Sequence, residues 1–160
     1  MASPTIVATF VDKEVSEFLR DMKTRLSKVK GSEKKFVGLL SAMVFSDVMD
    51  HFEKEQGSEG PWRAWSISYA DHMQKIGRSG NKKLQFTGFL RGSFQPGNYK
   101  STPDGPMWFN PAQTKGGFPY AAAHDEGGDR LPKRDFMWLS DNAVEKISTA
   151  TLQFLIDEGI

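Results

Sequence analysis

Residues 119–136 read PYAAAHDEGGDRLPKRDF. A tyrosine and three alanines lead into His124, Asp125 and Glu126. Two glycines follow at Gly127 and Gly128, and a loop closes on Pro132, Lys133 and Arg134 ahead of Phe136. Taken as chemistry, the stretch offers a metal-binding or acid/base cluster. Taken as structure, it is a small-residue segment, a double-glycine turn and a basic anchor. The choice decides whether the fold is built around an active site or around a packed return of the chain.

Adjacent residues on a strand point to opposite faces, and on a helix they lie about 100° apart. His124, Asp125 and Glu126 therefore do not converge easily on one substrate. The competing reading is a histidine that packs or hydrogen-bonds locally beside solvated carboxylates. A metal-dependent hydrolase would draw on His51, His72 and His124, with Asp71, Asp125 or Glu126 assisting, because zinc sites combine three such ligands with an open position for water. The spacings oppose it: there is no HxH or HExxH, and His51 and His72 fall on separate predicted helices. The competing reading is three surface or capping histidines. GxSxG and GxxxxGK[ST] are both absent, so neither a serine elbow nor a phosphate loop is encoded.

The 160 residues fit one domain, 1–160, with 38% hydrophobic and 26% charged residues, ordinary for a polar-surfaced globular chain. A net charge of +1 gives no global pull toward nucleic acid or anionic membrane, so any such attraction has to be local. The absence of cysteine excludes disulfides and thiolate metal sites. The first residues, MASPTIVATFVDKEV, lack a basic region followed by a long apolar one, and no stretch approaches the ~20 apolar residues of a membrane helix. The expectation is a soluble intracellular product, or one delivered by a route other than secretion, with no membrane partner.

Working outward, residues 5–11 (TIVATFV) predict a strand. Residues 12–29 carry apolar positions at helical spacing and predict an amphipathic helix that Gly31 ends. Ser32 and Glu33 open a second helix whose apolar surface runs almost all the way round. Such a helix is buried on several sides, inside the fold or against another subunit; Gly57 is its expected stop. A turn with Trp62 and Trp65 leads to a helix capped by Ser66 and ended by Gly77. Thr87 is placed to cap one helical turn presenting Phe89, Leu90 and Phe94 to the core. Beyond residue 95 the texture is Pro, Gly and Asn with isolated aromatics. There Tyr99 and the segment Met107, Trp108 and Phe109 flank a PDG turn as paired strands. A last helix starts at Ser140 and Asp141, its apolar residues being Val144, Ile147, Thr151, Leu152, Leu155 and Ile156. The fold class is α+β: a helical N-terminal half packed with a small, mostly antiparallel sheet, and a C-terminal helix.

Two basic clusters invite a nucleic-acid reading. Arg78, Lys82 and Lys83 form one, and Arg130, Lys133 and Arg134 the other, with aromatics nearby. Short basic loops grip phosphates; they also simply stay solvated or pair with carboxylates. The four tryptophans and the wide apolar helix suit a subunit interface or a tryptophan-containing core equally well.

The order of the blocks resembles the virion morphogenesis, or tail-completion, proteins of Mu-like and related tailed phages. The residues that carry it are Gly60-Pro61-Trp62, then Thr87-Gly88-Phe89-Leu90. Tyr120-Ala121-Ala122-Ala123-His124 with Gly127-Gly128 follows, and then Pro132-Lys133-Arg134-Asp135-Phe136 ahead of the last helix. Each block is weak alone; together they are collinear and span most of the chain. Where the family often has an aromatic before the glycine stop and a proline after the arginine, this chain has Glu126 and Asp135.

The resemblance implies a structural, non-enzymatic protein without cofactor, acting at the head–tail junction of a virion after assembly in the host cytoplasm. It implies a homo-oligomeric ring, commonly a hexamer, that completes the tail and contacts a head-side connector and the tail tube or tail terminator. DNA in the channel would pass nearby without tight binding. On this reading Trp62, Thr87, Gly88, Leu90, Tyr120, His124, Gly127, Arg134 and Phe136 are structural or assembly residues. Arg134 bonds carbonyls or a carboxylate near the Gly127-Gly128 turn or across a subunit boundary, Tyr120 and Phe136 are buried beside it, and Trp62 anchors the link between helices. Arg78, Lys82, Lys83 and Lys133, with residues 78–83 and 99–117, are the expected partner or DNA contacts.

Overall fold

The structure, a computed structural model, describes residues 17, 20, 21, 24, 25, 27, 28, 31–102, 105–129 and 131–159. The strand expected over 5–11, the Pro103-Asp104 turn and many positions of the 12–29 helix lie outside the described residues. Within that helix Glu17, Arg20, Asp21, Thr24 and Arg25 are helical. Arg25 Nε donates to Asp21 Oδ2 at 2.9 Å, one turn back.

Helix α1 spans Ser32–Lys54. Its core side chains Phe36, Leu40, Val44, Val48 and Phe52 are no more than 2% exposed. They recur every four residues. At about 100° per residue each step overshoots a full turn by roughly 40°, so the stripe winds around the helix. Successive parts of it therefore need different neighbours, which is why the apolar surface is wide. Phe36 meets Phe154 at 5.4 Å between ring centroids, Phe45 stacks on Phe94 at 5.9 Å, and Phe52 meets Phe136 at 4.9 Å. The several-sided burial is satisfied inside the fold.

The stop is not Gly57. Glu55 ends the helix in the left-handed region at φ 53°, where its N–H donates to His51 O. A non-glycine residue there is uncommon. Three bonds hold it: its carboxylate accepts from the Lys83 amide and from Lys83 Nζ at 2.9 Å, and its carbonyl accepts from the Trp62 amide at 2.7 Å. Strands β1 (Gln56–Gly57) and β2 (Gly60–Pro61) form a minimal antiparallel hairpin.

Helix α2, Ile67–Lys75, starts where Ser66 Oγ accepts from the Tyr69 amide at 3.3 Å. Helix α3 is one turn, Phe89–Ser93. Gly88 takes its N-cap position at φ 75°, and Thr87 sits one residue earlier, its Oγ1 accepting from the Phe89 amide. Leu90 and Phe94 reach the core as expected. Phe89 does not; it is 57% exposed, because one turn cannot bury adjacent faces. Strands β3 (Tyr99–Thr102) and β4 (Gly105–Trp108) pair antiparallel from Tyr99↔Trp108 to Thr102↔Gly105. Trp108 is buried, with its Nε1 donating to Ser41 Oγ on α1 at 3.0 Å. About half of the described residues are helical, and their strands form two separate antiparallel pairs, so the class is α+β.

Helix α4 covers Tyr120–Glu126 and α5 covers Asp141–Glu158. Ser140 caps α5 by accepting from the Ala143 amide at 3.2 Å. Asp47 of α1 holds that cap, accepting from Ser140 Oγ at 2.6 Å and from its amide at 2.8 Å. At the other end Glu158 accepts from Ser32 Oγ at 2.6 Å and from Lys35 Nζ at 2.9 Å. The two helices thus run antiparallel, pinned at both ends. The contact covers one stripe of α5: Ala143, Ile147, Thr151 and Leu155 are buried. Leu152 and Ile156 stay 60% and 73% exposed, against the expectation that they join the core. Among the described residues no helix is long and apolar enough to cross a membrane.

Candidate functional site

The double-glycine turn brings the two halves of the 119–136 stretch together. Gly127 adopts φ 72°, and a Cβ there would lie 2.7 Å from both Cα and N of Lys133. Only glycine admits that approach. Gly128 and Leu131 then bond each other's backbone at 2.8 and 3.2 Å. Further up, the Arg134 amide donates to His124 O at 2.8 Å. Asp125 Oδ1 accepts from the Phe136 amide at 2.8 Å and the Met137 amide at 3.0 Å. Burial pushes the Asp125 carboxyl above its ordinary range, and these two amide bonds only partly offset that.

The returned strand is then clasped to the linker after α1. Asp135 O accepts from Trp62 Nε1 at 2.8 Å, and the Asp135 carboxylate accepts from the Ser58 amide at 3.1 Å and from Ser58 Oγ. Gly57 is needed here, since a Cβ would collide with Asp135 Oδ1. Arg134 donates from Nε and Nη2 to Arg63 O at 3.2 Å, and from Nη2 to Ala64 O at 3.4 Å. Phe136 is fully enclosed. Its carbonyl accepts from His51 Nδ1 at 2.9 Å, which places that ring's proton on Nδ1.

His51 is neither a surface nor a capping residue. It is 4% exposed and stacks on Trp138 with centroids 4.0 Å apart. Its Nε2 lies 3.5 Å from Asp47 Oδ2. Burial works to raise the Asp47 carboxyl, but the neighbouring His51 ring and bonds from the Ser140 side chain and amide hold it below its ordinary value.

Beside the clasp opens a groove of about 920 Å³. Arg134 and His124 line it, with Tyr69, Tyr120, Thr87 and Leu90. Arg134 is 7% exposed, and no carboxylate of the described residues forms an ion pair with it. Burial lowers its pKa from the ordinary value, though a guanidinium stays charged at any physiological pH. Burial, and then the Arg134 charge, push His124 below its ordinary value, so its imidazole is neutral at pH 7; its Nδ1 is enclosed without a hydrogen-bond partner. Burial raises the Tyr120 phenol, which keeps its proton. The groove thus sets the Arg134 cation beside neutral His124 and Tyr120, with Arg63 and Lys82 against one carboxylate, Asp129, also in its lining, a net positive setting suited to an incoming anion.

Of the residues expected to form the site, Trp62, His124, Gly127, Arg134 and Phe136 meet in the clasp. Arg134 bonds carbonyls, as expected, but those of Arg63 and Ala64 rather than of the glycine turn. Tyr120 is only half-buried, because it lines the groove. The basic residues are largely engaged within the chain. Lys82 Nζ bonds Glu53 Oε1 at 2.6 Å, Lys83 holds Glu55, and Arg78 donates to Phe86 O at 2.7 Å while stacking over the Phe86 ring at 4.6 Å. Lys133 is more open, 3.8 Å from Glu59 and 3.9 Å from Asp135. Asp125 is turned to backbone amides and His51 is enclosed in the core, so the histidine cluster does not assemble. Among the described residues no group of three His, Asp or Glu is placed to hold a metal ion.

Sequence reasoning missed Glu55, the Asp47–His51 pair and the loop-closing roles of Asp125 and Asp135. For Asp135 a signal existed: it stands where the resembled pattern carries proline. For Asp47 and His51 the i,i+4 spacing on one helix was a signal as well. Asp125 and Glu55 had none, because each acts through a partner more than 10 residues away or through a backbone conformation. Comparison of the chain with protein-family models, with curated proteins and with solved structures finds no match.

Proposed function

We propose that this chain is a structural protein of a tailed-phage virion, completing the tail at the head–tail junction as an oligomeric ring. One observation carries the reading. The four collinear blocks, far apart in sequence, are neighbours in space: Trp62 bonds Asp135, Arg134 bonds the backbone after Trp62, the His124 carbonyl bonds Arg134, and Thr87 and Leu90 line the same groove as Arg134 and His124. A set of motif residues spent on backbone closure and packing describes a scaffold. Its work is assembly rather than turnover, and its partners are further copies, a head-side connector and the tail tube or terminator.

The test is a reconstruction of the particle neck together with a deletion of the gene. A ring of this chain between head and tail, and unjoined heads and tails without it, are the expected results. Complete, infectious particles formed in its absence refute the reading. The hydrolase alternative needs His124 and a carboxylate on one substrate; Asp125 is engaged by the 136–137 amides, which leaves Asp129 as the carboxylate that shares the groove lining with His124.

A further inference from the structure

Two apolar surfaces sit at opposite ends of the α1/α5 hairpin. Leu152 and Ile156, one turn apart on α5, form the first, with Asp157 beside them. The Phe36–Phe154 contact and the Glu158 bonds to Ser32 and Lys35 set this surface next to the start of α1. The groove forms the second. Lys82, which lines it, bonds Glu53, so it lies by the end of α1. From Phe36 to Glu53 a helix rises about 25 Å. One copy cannot bring its two surfaces together; two copies can.

The surfaces are complementary. Ile67, Tyr69 and Phe86 line the groove while 83%, 42% and 45% exposed, and apolar side chains left open to this degree mark contact surfaces. Arg134 lines it too, a mostly buried cation that forms no ion pair among the described residues and whose Nη1 makes no hydrogen bond. A buried charge is costly unless a counter-charge meets it. Arg63 and Lys82 line the groove as well, against one carboxylate, the exposed Asp129, which forms no ion pair with Arg134, so the groove keeps a net positive charge. The α5 surface carries the missing group: Asp157 accepts only from Gln153 of its own helix.

We propose that the Leu152, Ile156 and Asp157 face of α5 in one copy docks into the groove of a second copy. Leu152 and Ile156 pack against Ile67, Tyr69 and Phe86, and the Asp157 carboxylate meets the Arg134 guanidinium. This is a helix laid into a groove through an i/i+4 apolar pair. Because the two surfaces differ, the contact is heterologous and propagates head to tail, closing into a ring where the rotation closes. The inference rests on the ring reading above and names the side surfaces of its protomer.

Ile67→Glu breaks the groove and Ile156→Glu breaks the face, both at exposed positions where folding is undisturbed, as circular dichroism would verify. Light scattering of the purified chain should show oligomers for the wild type and monomers for each variant alone. An equimolar mixture of the two variants should give a 1:1 complex and nothing larger, since one intact groove then meets one intact face. Asp157→Asn should weaken assembly about tenfold, the scale of one charge-assisted bond. The proposal is overturned if the wild type stays monomeric up to its solubility limit, if both variants assemble like wild type, or if the mixture remains monomeric. The neck reading is judged separately, by whether the chain occupies the neck of particles.

Discussion

Asp125→Ala should cost the fold heavily, although the residue had looked like a candidate acid. The substitution removes the acceptor of two amides, those of Phe136 and Met137, at 2.8 and 3.0 Å. Phe136 is wholly enclosed and Met137 is 6% exposed, so water has little access to replace the lost oxygen. A buried donor left without a partner costs about 1–3 kcal/mol. Two of them, less the relief of removing a buried carboxylate, give about 2–4 kcal/mol. For a chain of this size each kcal/mol moves Tm by about 2–4 °C, so a fall of roughly 4–16 °C is expected. Asp125→Asn keeps an acceptor oxygen in place without the charge. Burial raises the folded-state pKa of Asp125. The native state therefore binds the proton more tightly than the unfolded chain does. Wild-type stability should fall as pH climbs from the ordinary aspartate value through the raised one, and should be flat above it on this account. The Asn variant lacks that slope and should match or exceed wild type at pH 7. Urea unfolding from pH 4 to 8, with unchanged m-values, measures all three proteins. An Ala variant within 0.5 kcal/mol of wild type, taken as roughly the size of an ordinary surface change, would refute the reasoning. So would an Asn variant as damaged as the Ala one.

Three further outcomes are expected. Gly127→Ala should lose at least about 3 kcal/mol in urea unfolding, from a left-handed φ costing about 1–2 kcal/mol plus collision with the Lys133 backbone; Gly128→Ala, whose Cβ would meet nothing within 4 Å, should lose less than about 1 kcal/mol. Asp47 has a folded pKa held below its ordinary value, so its contribution is present above the unfolded pKa and lost as pH falls through the folded one; Asp47→Asn should lower stability at pH 7 and flatten the acid limb of the profile. Arg134→Met replaces an uncompensated buried cation with an apolar chain of similar length, and should stay within about 1 kcal/mol of wild-type stability while sedimentation analysis shows weakened self-association.

Periodicity made the helices legible. The wide apolar surface of α1 and the Ser66 and Ser140 caps were all readable, because they depend on residues within two turns of one another. The antiparallel pair around the PDG segment was readable for the same reason. What escaped reading was set by long-range or backbone effects. Glu55 ends α1 through a left-handed conformation held by Lys83 and Trp62, while Gly57, the expected stop, serves to admit Asp135. The apolar pattern of α5 includes Leu152 and Ile156, and periodicity alone cannot say that a single neighbouring helix covers too narrow a stripe to bury them. In the site, the spacing of His124, Asp125 and Glu126 argued correctly against convergence. Nothing in the spacing revealed that Asp125 closes the loop it precedes.

The clasp and the groove are consequences of one another. Arg134 is drawn inward because its own amide is fixed to His124 O and its guanidinium reaches the carbonyls of Arg63 and Ala64. Those carbonyls carry partial charge and cannot neutralise a cation. No acid pairs with it: Asp129 lines the groove without forming an ion pair with Arg134, and Glu55, whose charge acts on Arg134, is held by Lys83 just past the end of α1. Closing the chain on itself therefore leaves one positive charge unanswered in the lining of the groove, while the α1/α5 packing leaves an acidic, apolar helix face unanswered at the far end. Monomer folding satisfies the backbone and leaves both surfaces open. On this account the charge imbalance at Arg134 is what selects the acid-bearing face of α5 over other apolar surfaces, such as exposed Phe118, whose neighbours include Lys115 rather than a carboxylate.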